Sequence, residues 1–116
     1  MDTIHEMKLN NRPFESIKIG EKIIEMRLYD EKRQLLRPDD LIEFVNRETG
    51  EKILTKVVGL HIFADFVTLY QHFDKLALGY THNEVSDPLD MLEYYSIEEQ
   101  DKYGVVGIEI EVVKSK

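Results

Sequence analysis

Two stretches near opposite ends of the chain alternate their side chains with the period of a β-strand, and this limits the fold more than any other feature. Across residues 22 to 28, Ile24, Met26 and Leu28 fall on one face while Glu25 and Arg27 fall on the other. Across residues 105 to 113, Val106, Ile108, Ile110 and Val112 oppose Gly107, Glu109, Glu111 and Val113, which predicts a half-buried strand that closes a sheet. Same-face spacing makes Glu25 and Arg27 neighbours. Lys22 has the wrong parity to join them, so it must approach from the turn at Gly20. The expected geometry places Glu25 and Arg27 side by side in a concave pocket, with Lys22 reaching in from that turn.

The remaining segments give a mixed order of strands and short helices. Residues 3 to 9 read as a first strand. Arg12 to Ile19 reads as a helix with Pro13 in its first turn, Phe14 and Ile17 on one face and Gly20 as its stop. Asp30 to Leu36 suits a helical turn ended at Arg37-Pro38. The runs Leu41 to Val45 and Lys52 to Phe63 read as strands joined by a hairpin turn at Glu48-Thr49-Gly50. Phe66, Leu69, Tyr70 and Phe73 recur at helical spacing and predict a helix over 65 to 74 with that stripe inward; the stripe is read as core rather than as a base-stacking platform. Lys75 to Asp87 lacks periodicity and is the most polar irregular stretch. Pro88 to Ser96 and Ile97 to Lys102 read as short helices, with Ser96 capping through Glu98 or Glu99. The class is α+β.

With 116 residues and 42% apolar content, one compact domain spanning residues 1 to 116 is expected. Cysteine is absent, which excludes a disulfide framework, a thiolate metal site and a cysteine nucleophile. The start, Met1 to Glu6, lacks a basic and apolar leader, and no run is long enough to span a bilayer, so a cytoplasmic protein with no membrane partner is expected. The four histidines, His5, His61, His72 and His82, match no zinc signature, and no metal or cofactor is implied. His61 reads as a core or edge histidine; His82, in the polar loop, remains a site candidate. Neither G-x-x-x-x-G-K nor G-x-G-x-x-G occurs, which argues against nucleoside triphosphate hydrolysis.

The net charge of −8 argues against a protein that grips a long duplex by its phosphates. That charge is localised. Residues 84 to 111 hold nine acids against Lys102 alone, while residues 18 to 37 hold six bases against four acids, a local +2. Charge runs of this kind are commonly just solvated side chains. Their clustering around Lys22, Glu25 and Arg27 favours an anion-facing surface.

Gly20, Lys22, Glu25 and Arg27 fit the pattern G-x-K-x-x-E-x-R, and in this the chain resembles the ASCH domains, small members of the PUA-like superfamily. His5-Glu6-Met7-Lys8-Leu9 before the motif, Asp30-Glu31-Lys32-Arg33 after it, and Tyr103-Gly104-Val105-Val106-Gly107-Ile108-Glu109-Ile110 near the end extend the resemblance over nearly the whole chain. The resemblance implies a small, strongly bent β-barrel with short helices over one opening. It also implies a cleft, lined by the motif, that binds single-stranded RNA or a small nucleotide or nucleoside. In that reading Lys22 and Arg27 contact phosphate or a base edge, Glu25 accepts from a base amino group or orients Arg27, and Tyr80 and His82 complete the ligand-binding set.

The alternative is an enzyme. Some relatives act as amidohydrolases on acylated cytidine, using the motif lysine, a hydroxyl residue three positions later and a later acid; ribonuclease activity is a further family proposal. Lys22, Glu25 and Glu84 would be the catalytic candidates here. Glu25 stands where those enzymes carry threonine, and a carboxylate cannot take over a hydroxyl's role without changing the mechanism. A third reading makes Glu25 and Arg27 a structural pair at the barrel mouth, although exposed pairs contribute only about 0–1 kcal/mol. Flanked by Glu25 and Glu84, Lys22 is expected to serve as an ammonium contact for an anion.

Overall fold

A computed structural model describes residues 3 to 113. Five strands, β1 (Ile4–Leu9), β2 (Ile24–Leu28), β3 (Leu41–Asn46), β4 (Lys52–Phe63) and β5 (Val105–Val112), form one sheet in the order β1-β3-β4-β5-β2. Only the β1–β3 pairing is parallel; β3–β4, β4–β5 and β2–β5 are antiparallel. The sheet curls into a half-barrel whose outer strands are β1 and β2. Three short helices, α1 (Asn11–Lys18), α2 (Phe66–His72) and α3 (Ile97–Tyr103), together with 3-10 turns at Arg33–Leu35 and Pro88–Glu93, cover it. The fold is α+β, as the sequence pattern requires. None of these helices is long and apolar enough to cross a membrane.

Both faces of the sheet are packed. On one, Met7, Leu9, Ile42, Phe44, Val57, Val106, Ile108 and Ile110 meet Phe14 and Ile17 of α1. An eight-residue helix is too short to be stable alone. Burial of Phe14 and Ile17, each worth about 1.5–3 kcal/mol, holds α1 in place. On the other face, Ile24, Met26, Leu28 and Val105 pack with Phe66, Leu69, Leu78 and Met91. This corrects the expectation of a half-buried last strand: Val105 to Ile108 are buried on both sides, because β5 lies between β4 and β2 with α2 over its second face. Gly107 makes that close approach possible, since a Cβ there would sit 3.2 Å from both Ile24 and Phe73.

Other boundaries shift for local reasons. The first helix runs one residue earlier than the spacing predicts, ending at Lys18, with Ile19 as its cap and Gly20 at φ +83°. The strand expected over 22 to 28 begins only at Ile24, because the Lys22 amide bonds to the Ser16 carbonyl at the end of α1 while the Ile23 and Ile24 amides both bond to the Ala77 carbonyl. The helix expected over 65 to 74 is capped by the Asp65 side chain and stops at His72, where Phe73 turns extended yet remains packed on the core. The segment read as a helix from Pro88 to Ser96 is a 3-10 turn ending at Glu93, while Ser96 caps α3 in a reciprocal box with Glu99, as the sequence leads one to expect. Gly50 takes φ +76° in the β3–β4 turn.

Candidate functional site

The turn after α1 decides where Lys22 points. The amides of Gly20, Glu21 and Lys22 bond back to the carbonyls of Ile17 and Ser16, so the chain reverses sharply and delivers the Lys22 side chain beneath β2. There its Nζ lies 3.2 Å from Glu25 Oε1. The other carboxylate oxygen accepts from Arg27 Nε at 2.6 Å. Arg27 Nη2 also donates to the Lys8 carbonyl at 2.9 Å, bridging the two outer strands across the seam of the half-barrel. Lys22 and Glu25 are only 8% and 4% exposed. One anion held by two cations therefore lies buried where the sheet fails to close.

Burial is the largest influence on Glu25 and pushes its carboxyl up, but the attraction of Arg27 and then Lys22 outweighs it and leaves the group below its ordinary value. Burial likewise pulls Arg27 down, and Glu25 followed by Tyr95 reverses this, so the guanidinium is held more firmly charged than usual. Each charge is compensated by its neighbour. A buried pair is tolerated on that condition.

Gly79 closes the space behind Lys22. A Cβ on Gly79 would fall 2.9 Å from Lys22 Cδ, and its backbone lies at φ +102°. The Lys75 to Asp87 loop is fastened on both sides of this point: the Ala77 carbonyl takes the amides of Ile23 and Ile24, and Lys75 Nζ donates to the carbonyls of His82 and Glu84 at 2.9 and 2.7 Å. The loop is thus stitched to the motif strand.

Lys22, Glu25 and Arg27 face a cavity of about 560 Å³. Tyr80 and Glu84 line it as well. The Tyr80 hydroxyl donates to Asp90 at 2.7 Å and meets the Tyr70 hydroxyl at 2.9 Å, which fixes its ring in an edge-on contact with Tyr70. Burial, with Tyr70 and Asp90 beside it, drives the Tyr80 phenol well above its usual value, so it acts as a neutral donor. Glu84 accepts from the Thr81 amide and pairs with Arg12; the amide and then Arg12 hold its carboxyl below the ordinary range. Among the described residues Glu84 makes no ion pair with the motif. His82 is exposed and does not line the cavity; only its backbone carbonyl has a role, as a partner of Lys75. The cavity also recruits residues that the motif gave no reason to single out: the bases Lys8, Arg12 and Arg47, the acids Asp90 and Glu93, and the tyrosines Tyr94 and Tyr95.

A curled five-stranded sheet, open at one seam and crossed there by a buried Lys-Glu-Arg triad, defines a PUA-like half-barrel. The chain belongs to the ASCH domain family, whose model matches residues 7–114. Two solved structures share the fold at appreciable identity: the crystal structure of hypothetical protein PH0355 is 34% identical, with a TM-score of 0.81, over 96% of this chain and 100% of that one. The solution structure of protein PF0455 from Pyrococcus furiosus is 32% identical, with a TM-score of 0.70, over 97% of this chain and 100% of that one. The crystal structure of the S128A mutant of ZmASCH from Zymomonas mobilis is alike in fold alone, at 14% identity and a TM-score of 0.62, over 94% of this chain and 68% of that one. No curated protein matches the chain.

Proposed function

We propose that the cavity binds a nucleotide unit, free or within single-stranded RNA, with Lys22, Glu25 and Arg27 as its polar floor. One observation carries this reading: a buried carboxylate flanked by two cations faces a tyrosine-lined cavity of about 560 Å³. A space of that size, in which tyrosines and apolar side chains stand beside convergent charged groups, suits a small organic ligand. The floor offers both donors and an acceptor, as recognition of a base edge needs, and the tyrosines offer faces on which a base can stack. Membership of the ASCH family, whose domains are generally associated with RNA, supports the same reading.

The acid-rich segment from 84 to 111 would repel a long duplex, so binding is confined to short single strands and small ligands. With two or three cations meeting phosphate, log affinity should fall against log salt with a slope of roughly −2. Titration of short labelled RNA tests this. Single-strand binding that weakens with salt and is lost in Lys22→Ala with Arg27→Ala supports the proposal; tight duplex binding, or affinity indifferent to salt and to both changes, defeats it. Incubation with N4-acetylcytidine is the companion assay: rapid release of cytidine, abolished by Lys22→Ala and by Glu84→Gln, would make the protein an amidohydrolase despite Glu25.

A further inference from the structure

The cavity is lined by bases and acids from different elements of the fold. Lys8 of β1 and Arg47, just past β3, both line it from neighbouring paired strands, held in register by the Arg47 amide donating to the Leu9 carbonyl at 2.8 Å. The turn at Pro88–Glu93 contributes Asp90 and Glu93 to the lining. The other cations lining the cavity are paired, Arg12 with Glu84 and both Lys22 and Arg27 with Glu25. Lys8 and Arg47 have no acidic partner among the described residues, although the chain holds 23 acids against 15 bases. Two unneutralised cations at the mouth of a cavity in so acidic a chain form the part of its wall best suited to a ligand's negative charge.

Resting on the nucleotide-binding reading above, we propose that Lys8 and Arg47 form a phosphate subsite outside the motif, so that the cavity prefers a phosphorylated nucleoside to the bare nucleoside. Lys22 and Arg27 are already committed to Glu25 below, and Arg27 spends a further donor on the Lys8 carbonyl. The phosphate therefore sits at the rim. The acids of the Pro88–Glu93 turn favour the same placement, since an anion turned toward Asp90 and Glu93 would meet like charge. The base end then lies against the tyrosines and the floor, where Glu93 and Asp90 can accept from base N–H groups.

Calorimetric titration of the wild type and a Lys8→Ala/Arg47→Ala variant with uridine, cytidine and their monophosphates tests the proposal. Both residues are exposed and make no ion pair, so thermal melting should confirm that the variant folds. The wild type should bind each monophosphate roughly tenfold more tightly than its nucleoside, as two exposed cations acting together allow. The variant should lose that advantage while its nucleoside affinity stays the same. A 5′-phosphorylated short RNA run alongside separates the sources: a loss in the variant for both supports the subsite, and the tighter of the two identifies its natural occupant. Nucleoside and monophosphate binding equally well to the wild type, or an advantage that persists in the variant, overturns the subsite and leaves the nucleotide-binding reading intact. Binding of neither to the wild type overturns both.

Discussion

Replacing Glu25 with glutamine removes the one anion that two buried cations share. Lys22 is 8% exposed, and the Arg27 side chain 12%, so neither can recover its hydration without local opening. Breaking a buried pair by deleting one partner costs about 3–5 kcal/mol, mostly as the charge left behind, and here two charges are left. The cost should fall at the upper end, about 4–5 kcal/mol, or roughly 15–20 °C in melting temperature for a chain of this size. An exposed pair would cost no more than about 1 kcal/mol. The pH dependence adds a second constraint. Because the Glu25 carboxyl titrates below its ordinary value in the folded state, its contribution is fully present above the unfolded value and is lost as pH falls through the folded one. The gap between wild type and Glu25→Gln should therefore be widest near neutral pH and shrink in acid below about pH 4. Urea unfolding of both proteins across that range is the assay. A loss below about 1 kcal/mol at neutral pH, or a gap that widens in acid, would refute the account of a carboxylate held by two buried cations.

Gly79→Ala should cost about 1–3 kcal/mol in urea unfolding, since the new Cβ meets the Lys22 stem at 2.9 Å from a left-handed backbone; in a Lys22→Ala background the cost should fall, which double-mutant analysis will measure. Tyr80→Phe removes a donor to Asp90 and a partner of Tyr70, and is expected to lower stability by about 1 kcal/mol and loosen the cavity wall, seen as faster amide exchange around Pro88–Glu93. Asp40, bonded first by His5 Nε2 at 2.9 Å and then by the Arg37 amide, is held below the usual carboxylate range. Asp40→Asn should thus destabilise most near neutral pH and converge with the wild type as acid protonates Asp40, which thermal melts across pH will show.

Much of this was legible because it obeys short periods. Alternation located β2 and β5, the Phe14–Ile17 spacing located the buried face of α1, and Gly20 marked the turn that aims Lys22. The triad could be anticipated because residues 25 and 27 share a face of one strand. What escaped was set by long-range packing. No spacing within β5 reveals that α2 covers its second face, so Val105 and Gly107 did not read as core. Arg47, Tyr94 and Lys8 are far apart in sequence and reach one cavity only because β1 pairs with β3 and the Pro88–Glu93 turn folds over α2. His82 lies in the right loop, but the loop is pinned through its backbone and leaves the imidazole outside the cavity. Polar composition marks a loop without telling which of its side chains turn inward.

The most direct test of the cavity as the ligand site is residue-by-residue NMR during titration with a nucleoside monophosphate. The account predicts saturable shifts concentrated at Lys22, Glu25, Arg27, Gly79 and Tyr80, with residues that do not line the cavity, such as the Asp39–Lys56 pair, unmoved. Shifts confined to residues outside the cavity, or none at ligand concentrations that saturate other nucleotide-binding sites, would contradict it.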